Sequence, residues 1–83
     1  MRKVRIRLSS VKDVQRFVST LASLKGDFEL ISGQFVLEAR SLMGILRLDL
    51  SKPLCLKIYD DSPKNLAAIK PYMIDAEEEN YEQ

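Results

Sequence analysis

The run best suited to chemistry is Arg40-Ser41-Leu42-Met43-Gly44-Ile45-Leu46-Arg47. A serine between an arginine and a short apolar helix can act in two ways. As an N-cap, its oxygen accepts a bond from an unpaired backbone N–H of the first helical turn. As a phosphoryl acceptor, it would place a dianion at the positive end of that helix and beside Arg40. Leu42, Met43, Ile45 and Leu46 crowd this element, and so many apolar residues cannot all face inward on a helix of about two turns. Leu42, Ile45 and Leu46 share one face by their spacing, which leaves Met43 as the residue expected outward. Methionine suits adaptable binding surfaces. The short helix and its flanks, Arg40, Leu42, Met43, Ile45, Leu46 and Arg47, are the expected contact region for a protein partner around Ser41, with Met43 its outward apolar residue.

Other reactive side chains offer less. The chain has no histidine, which removes the commonest general base near neutral pH and the commonest imidazole metal ligand. Cys55 stands alone in its strand, without an imidazole to activate it. Asp60, Asp61 and the acidic run from Asp75 lack the Asp-x-Asp-x-Asp-Gly spacing of a calcium loop. Three scattered glycines form no phosphate-cradling loop. No nucleophile–base pair can be assembled, so no catalytic residue, metal or cofactor is expected. Arg2, Lys3, Arg5 and Arg7 make a basic first strand, the basis of the competing reading as a nucleic-acid-binding module. That role calls for aromatic residues stacked on the same face, and none alternates with these arginines.

The elements that position these residues follow from periodicity. Residues 3–8 alternate, with Val4, Ile6 and Leu8 on one side and Lys3, Arg5 and Arg7 on the other. Ser10 with Asp13 resembles a capping box, and Val11, Val14, Val18 and Leu21 continue a helix to about residue 24. Gly26 stands where such a helix stops. Two strands, 28–31 and 35–39, flank the Ser32-Gly33 turn as a hairpin. Ser41 opens the short helix, and a fourth strand runs from Pro53 to Tyr59. Ser62-Pro63 opens a last helix striped by Leu66, Ile69 and Met73, which Pro71 must end or kink near Lys70. The order β-α-β-β-α-β-α predicts an α+β domain: a four-stranded antiparallel sheet with helices on one face.

Bulk properties narrow the class. Eighty-three residues allow one domain with a thin core, and a net charge of +1 gives no field for an acidic partner. One cysteine permits no internal disulfide, which fits a reducing, cytoplasmic setting. No secretory signal or membrane-length apolar run is present. The folded unit is expected over 1–74. The remainder, 75–83, holds five carboxylates and little apolar content, and is expected to be a flexible acidic tail.

The segment from Arg40 to Asp49 resembles the serine-site segment of the HPr family, small phosphocarriers of the bacterial sugar phosphotransferase system. A basic residue precedes a serine, and two apolar residues, a small residue and further spaced apolar residues follow. The element order matches over about residues 3–74. The resemblance implies an open-faced β-sandwich with three helices on one face. It also implies a regulatory phosphorylation site at Ser41 and a docking surface on the short helix beside it. The family's phosphocarrier histidine, followed closely by arginine and proline, lies between the first strand and first helix. Here that place reads Ser9-Ser10-Val11-Lys12-Asp13, with Ser10 and Lys12 nearest the missing histidine. A serine phosphate is a stable ester and cannot replace a labile phosphohistidine. The resemblance thus points to a non-catalytic bacterial regulator or adaptor, with a kinase or transcriptional regulator among its possible protein partners.

Overall fold

The computed structural model describes residues 1–74, so the acidic segment 75–83 lies outside the described residues. Strands β1 (Arg2–Ile6), β2 (Phe28–Ser32), β3 (Phe35–Glu38) and β4 (Leu54–Ile58) alternate with helices α1 (Val11–Ala22), α2 (Leu42–Ile45) and α3 (Pro63–Ile69). A single 3-10 turn, Lys70–Tyr72, follows α3. Pro71 accounts for the change of winding, because it lacks the N–H that an α-helix would use there.

The sheet is antiparallel throughout, in the order β1-β4-β2-β3. Its alternation sends Val4, Ile6, Phe28, Leu30, Leu54, Leu56 and Ile58 into the core, all essentially inaccessible to solvent. The helices cover that face with Val14, Phe17 and Leu21 from α1, Ile45 from α2 and Ile69 from α3. Leu8 is buried although β1 ends at Ile6, and Ala39 is buried although β3 ends at Glu38.

Helix starts follow the capping chemistry. Ser10 Oγ accepts from Asp13 N–H at 3.1 Å, and Asp13 Oδ2 accepts from Ser9 N–H at 3.0 Å, so the carboxylate reaches one residue further back than a standard capping box. Ser62 Oγ accepts from Asn65 N–H at 3.3 Å, with Pro63 in the first turn of α3.

Two residues of the helical stripes lie nearer the surface than their neighbours. Val11 is more than half exposed, because at the start of α1 its side chain has no layer to pack against. Leu66, the first residue of the last helix's apolar stripe, is half-buried against the core, and the fully buried residue of that stripe is Ile69. Asn65 is also buried; its Nδ2 donates to Lys25 O and to Asp60 O, both at 2.9 Å. This side chain joins the loop before β2 to the loop after β4. Gly26 makes that approach possible: its φ is +97°, and a Cβ there would lie 2.6 Å from Asp60 Cβ.

Candidate partner-docking surface

Ser41 adopts the cap conformation its sequence context predicts. Its extended backbone opens α2, and its Oγ accepts from Gly44 N–H at 3.3 Å. Gly44 fits between two neighbours; a Cβ on it would lie 2.8 Å from Ser41 Oγ and 2.9 Å from Leu37 Cδ1. The small residue therefore lets α2 sit against β3.

The apolar residues of α2 divide by face. Ile45, expected in the docking patch, is instead fully buried in the core, because its position on α2 faces the sheet; Leu42 and Leu46 are half-buried against the core, and Met43 is 67% exposed. Beside α2 runs a groove lined by Phe35, Val36, Leu37, Gly44, Arg47 and Leu48. Phe35 is 70% and Val36 59% exposed, values that mark them as surface rather than core. Arg47, from the expected patch, lines this groove and is exposed. Phe35 and Val36 escaped the sequence reading. Alternation identifies a strand but not its place in the sheet, and β3 is an outer strand.

Arg40 takes a different role from the one its position suggests. Its Nε donates to Leu21 O at 3.1 Å, and its Nη2 donates to Leu24 O at 2.9 Å and Gly26 O at 3.0 Å. Its Nη1 meets Glu38 Oε2 at 3.2 Å, and the guanidinium lies 5.0 Å from the centre of the Phe28 ring. The guanidinium thus satisfies carbonyls at and beyond the C-terminus of α1, where a cation is favoured. It is a fold-stabilising clamp rather than a phosphate partner waiting beside Ser41. Ser10 and Lys12 stand at the opposite end of α1, about 18 Å away for a helix of this length, with Ser10 engaged as its cap.

The outer sheet face tests the nucleic-acid alternative. By register, Arg5, Cys55, Ile31 and Val36 share one row, and Lys3, Lys57, Glu29 and Glu38 share the next. Neither row contains an aromatic residue. Tyr59, just beyond β4, donates to Glu29 Oε1 at 2.9 Å and has Lys57 Nζ 5.1 Å from its ring centre. The bond to Tyr59 is the main cause holding Lys57 above its ordinary pKa. This mixed apolar and ion-balanced surface does not favour nucleic-acid binding. Among the described residues no group of His, Cys, Asp and Glu is placed to hold a metal, and no helix is long and apolar enough to cross a membrane.

The element order, the sheet order and the one-sided helices define an HPr-like open-faced α+β sandwich. A solved structure carries that assignment: the crystal structure of HPr-C-His from Thermoanaerobacter tengcongensis, similar at a TM-score of 0.71 over 86% of this chain and 89% of that one. The two share 22% sequence identity, a level at which the likeness establishes the fold. No protein-family model matches the chain, and no curated protein matches it in sequence.

Proposed function

We propose that this protein is a non-catalytic, HPr-like regulator or adaptor of a bacterial cytoplasm, which binds a protein partner through α2 and Ser41. The observation that carries the reading is the outward Met43 on α2, with the exposed Phe35 on the helix-covered side of the neighbouring strand. Exposed apolar residues grouped around one short helix fit a docking surface better than a solvated one. Ser41 at the rim of that patch is a regulatory phosphorylation site in this reading. Its phosphate would add negative charge to an apolar contact and weaken it. The absence of histidine supports regulation without phosphohistidine transfer.

Met43→Asp tests the proposal. A carboxylate in the first turn of a helix is electrostatically tolerated, so the fold should persist. Buried unpaired against a partner's apolar surface, the same carboxylate is costly. The expected outcome is an unchanged circular-dichroism spectrum with loss of the proteins that wild-type bait captures from its native lysate. A folded variant that retains those proteins at wild-type strength places docking elsewhere.

A further inference from the structure

We infer that β3 is the seam of a weak homodimer, in which two copies pair their β3 strands antiparallel about a two-fold axis at Val36 and join two four-stranded sheets into one of eight strands. The two edges of the sheet differ. The β1 edge is partly covered, where Arg7 N–H donates to Tyr72 O at 3.0 Å and Ile74 N–H donates to Arg5 O at 3.2 Å. At the other edge stands β3, Phe35-Val36-Leu37-Glu38, and among the described residues no segment pairs with its outer side. It has none of the features that discourage edge pairing: no lysine, no proline, and no bulge in its register with β2. Its one charge, Glu38, is held by Arg40 at 3.2 Å.

The backbone of β3 is poised for a second strand. Ala39 N–H donates to Phe28 O at 3.0 Å, and these residues continue the β2–β3 register. Bonded and non-bonded pairs alternate in an antiparallel ladder, so Leu30–Leu37 and Ser32–Phe35 are bonded pairs and Val36 and Glu38 turn their N–H and C=O groups away from β2. Glu38 O is already taken by Ser41 N–H at 3.0 Å. That leaves both groups of Val36 and the N–H of Glu38 at the edge. With the two-fold axis at Val36, this residue exchanges two bonds with its own copy, and Glu38 N–H falls opposite Gln34 O of the second copy.

The side chains of that register suit each other. Such pairing keeps the helix layers of both copies on one side of the joined sheet, and each inward residue then faces an inward one. Phe35, 70% exposed, stands opposite the second copy's Leu37, at the mouth of the groove of ≈ 360 Å³ that Leu37, Gly44, Arg47 and Leu48 line. Symmetry makes this contact twice. On the outer face Val36, 59% exposed, meets Val36. Glu38 faces neutral Gln34, so no like charges are opposed. A seam of one four-residue strand and one phenyl ring per copy is smaller than the interfaces of permanent dimers, so the association is concentration-dependent. The inference goes beyond the partner-docking reading and shares only Phe35 with it; Met43 does not line the groove and stays outward in both copies.

Sedimentation velocity of the full chain over about two decades of concentration, up to the millimolar range, tests the inference. A reversible monomer–dimer equilibrium is expected. Val36→Lys opposes two lysines at the axis and should raise the dissociation constant at least about tenfold, with an unchanged circular-dichroism spectrum. Phe35→Ser should also weaken the dimer. Val11→Lys, at a comparably exposed valine on α1, should dimerise as wild type, and so should Met43→Asp, which separates this test from that of partner capture. In a mixture of isotope-labelled and unlabelled chains, NOEs should join the Phe35 ring of one copy to the Leu37 methyls of the other. A chain that stays monomeric throughout overturns the inference. A dimer that Val36→Lys leaves at wild-type strength, or whose intermolecular NOEs arise from another surface, overturns it as well.

Discussion

Arg40 holds three carbonyls from the end of α1 and the turn after it, and a carboxylate from its own strand end. Arg40→Lys keeps the charge but loses the planar fork that reaches several acceptors at once. It should cost about 1–3 kcal/mol, measured as a lower urea midpoint, because half-buried carbonyls lose charged donors. Nothing in the local sequence foretells this role, since Leu21, Leu24 and Gly26 approach Arg40 only through the packing of α1 against the hairpin. Ser41 and Met43 were legible because their roles depend on neighbours within one turn. A cap needs only the helix that follows it, and an outward position needs only the residues three and four places away.

At the scale of elements, α2 and α3 make contrasting cases. Gly44→Ala in α2 gains about 1 kcal/mol of intrinsic helix propensity. Its new methyl meets Ser41 Oγ and Leu37 Cδ1 inside 3.0 Å, and such overpacking costs about 1–3 kcal/mol. Net destabilisation is expected, seen as a lower melting temperature and a shifted Leu37 methyl signal. In α3, Ile69→Ala should cost about 2–5 kcal/mol, a large part of what so small a domain possesses. Leu66→Ala should cost clearly less, because that side chain remains partly wet. Parallel thermal melts decide the order, and a larger loss for Leu66→Ala would reverse the assignment of the helix faces. The sequence stripe named both residues, but a periodic pattern fixes spacing along a helix and leaves its rotation about its own axis to tertiary packing. The rotation brings Ile69 and Asn65 inward and leaves Leu66 at the margin. The same limit explains Val11, which has the right spacing but lies one turn beyond the layer it would join.

For the whole molecule, element order and hydrophobic alternation were enough to place four strands and three helices, because each level of the pattern agrees with the next. They could not rank the two sheet edges or show that β3 leaves Phe35 and Val36 uncovered, since strand order is a property of distant pairing. One prediction belongs to the intact protein. Incubated with labelled phosphoenolpyruvate and the first enzyme of the phosphotransferase system, it should remain unlabelled, because no side chain here can form a phosphohistidine. An acid-labile label would overturn the reading as a regulator without phosphotransfer. The strand order also governs how the chain can mature on the ribosome. β1 is made first but pairs with β4, and β2 likewise needs β4 as its inner neighbour. Until Leu54–Ile58 leaves the exit tunnel, Val4, Ile6, Phe28 and Leu30 have no completed sheet to enter. The nascent chain must therefore carry exposed apolar segments until β4 emerges, and completion of the sheet is gated by the later arrival of that central strand.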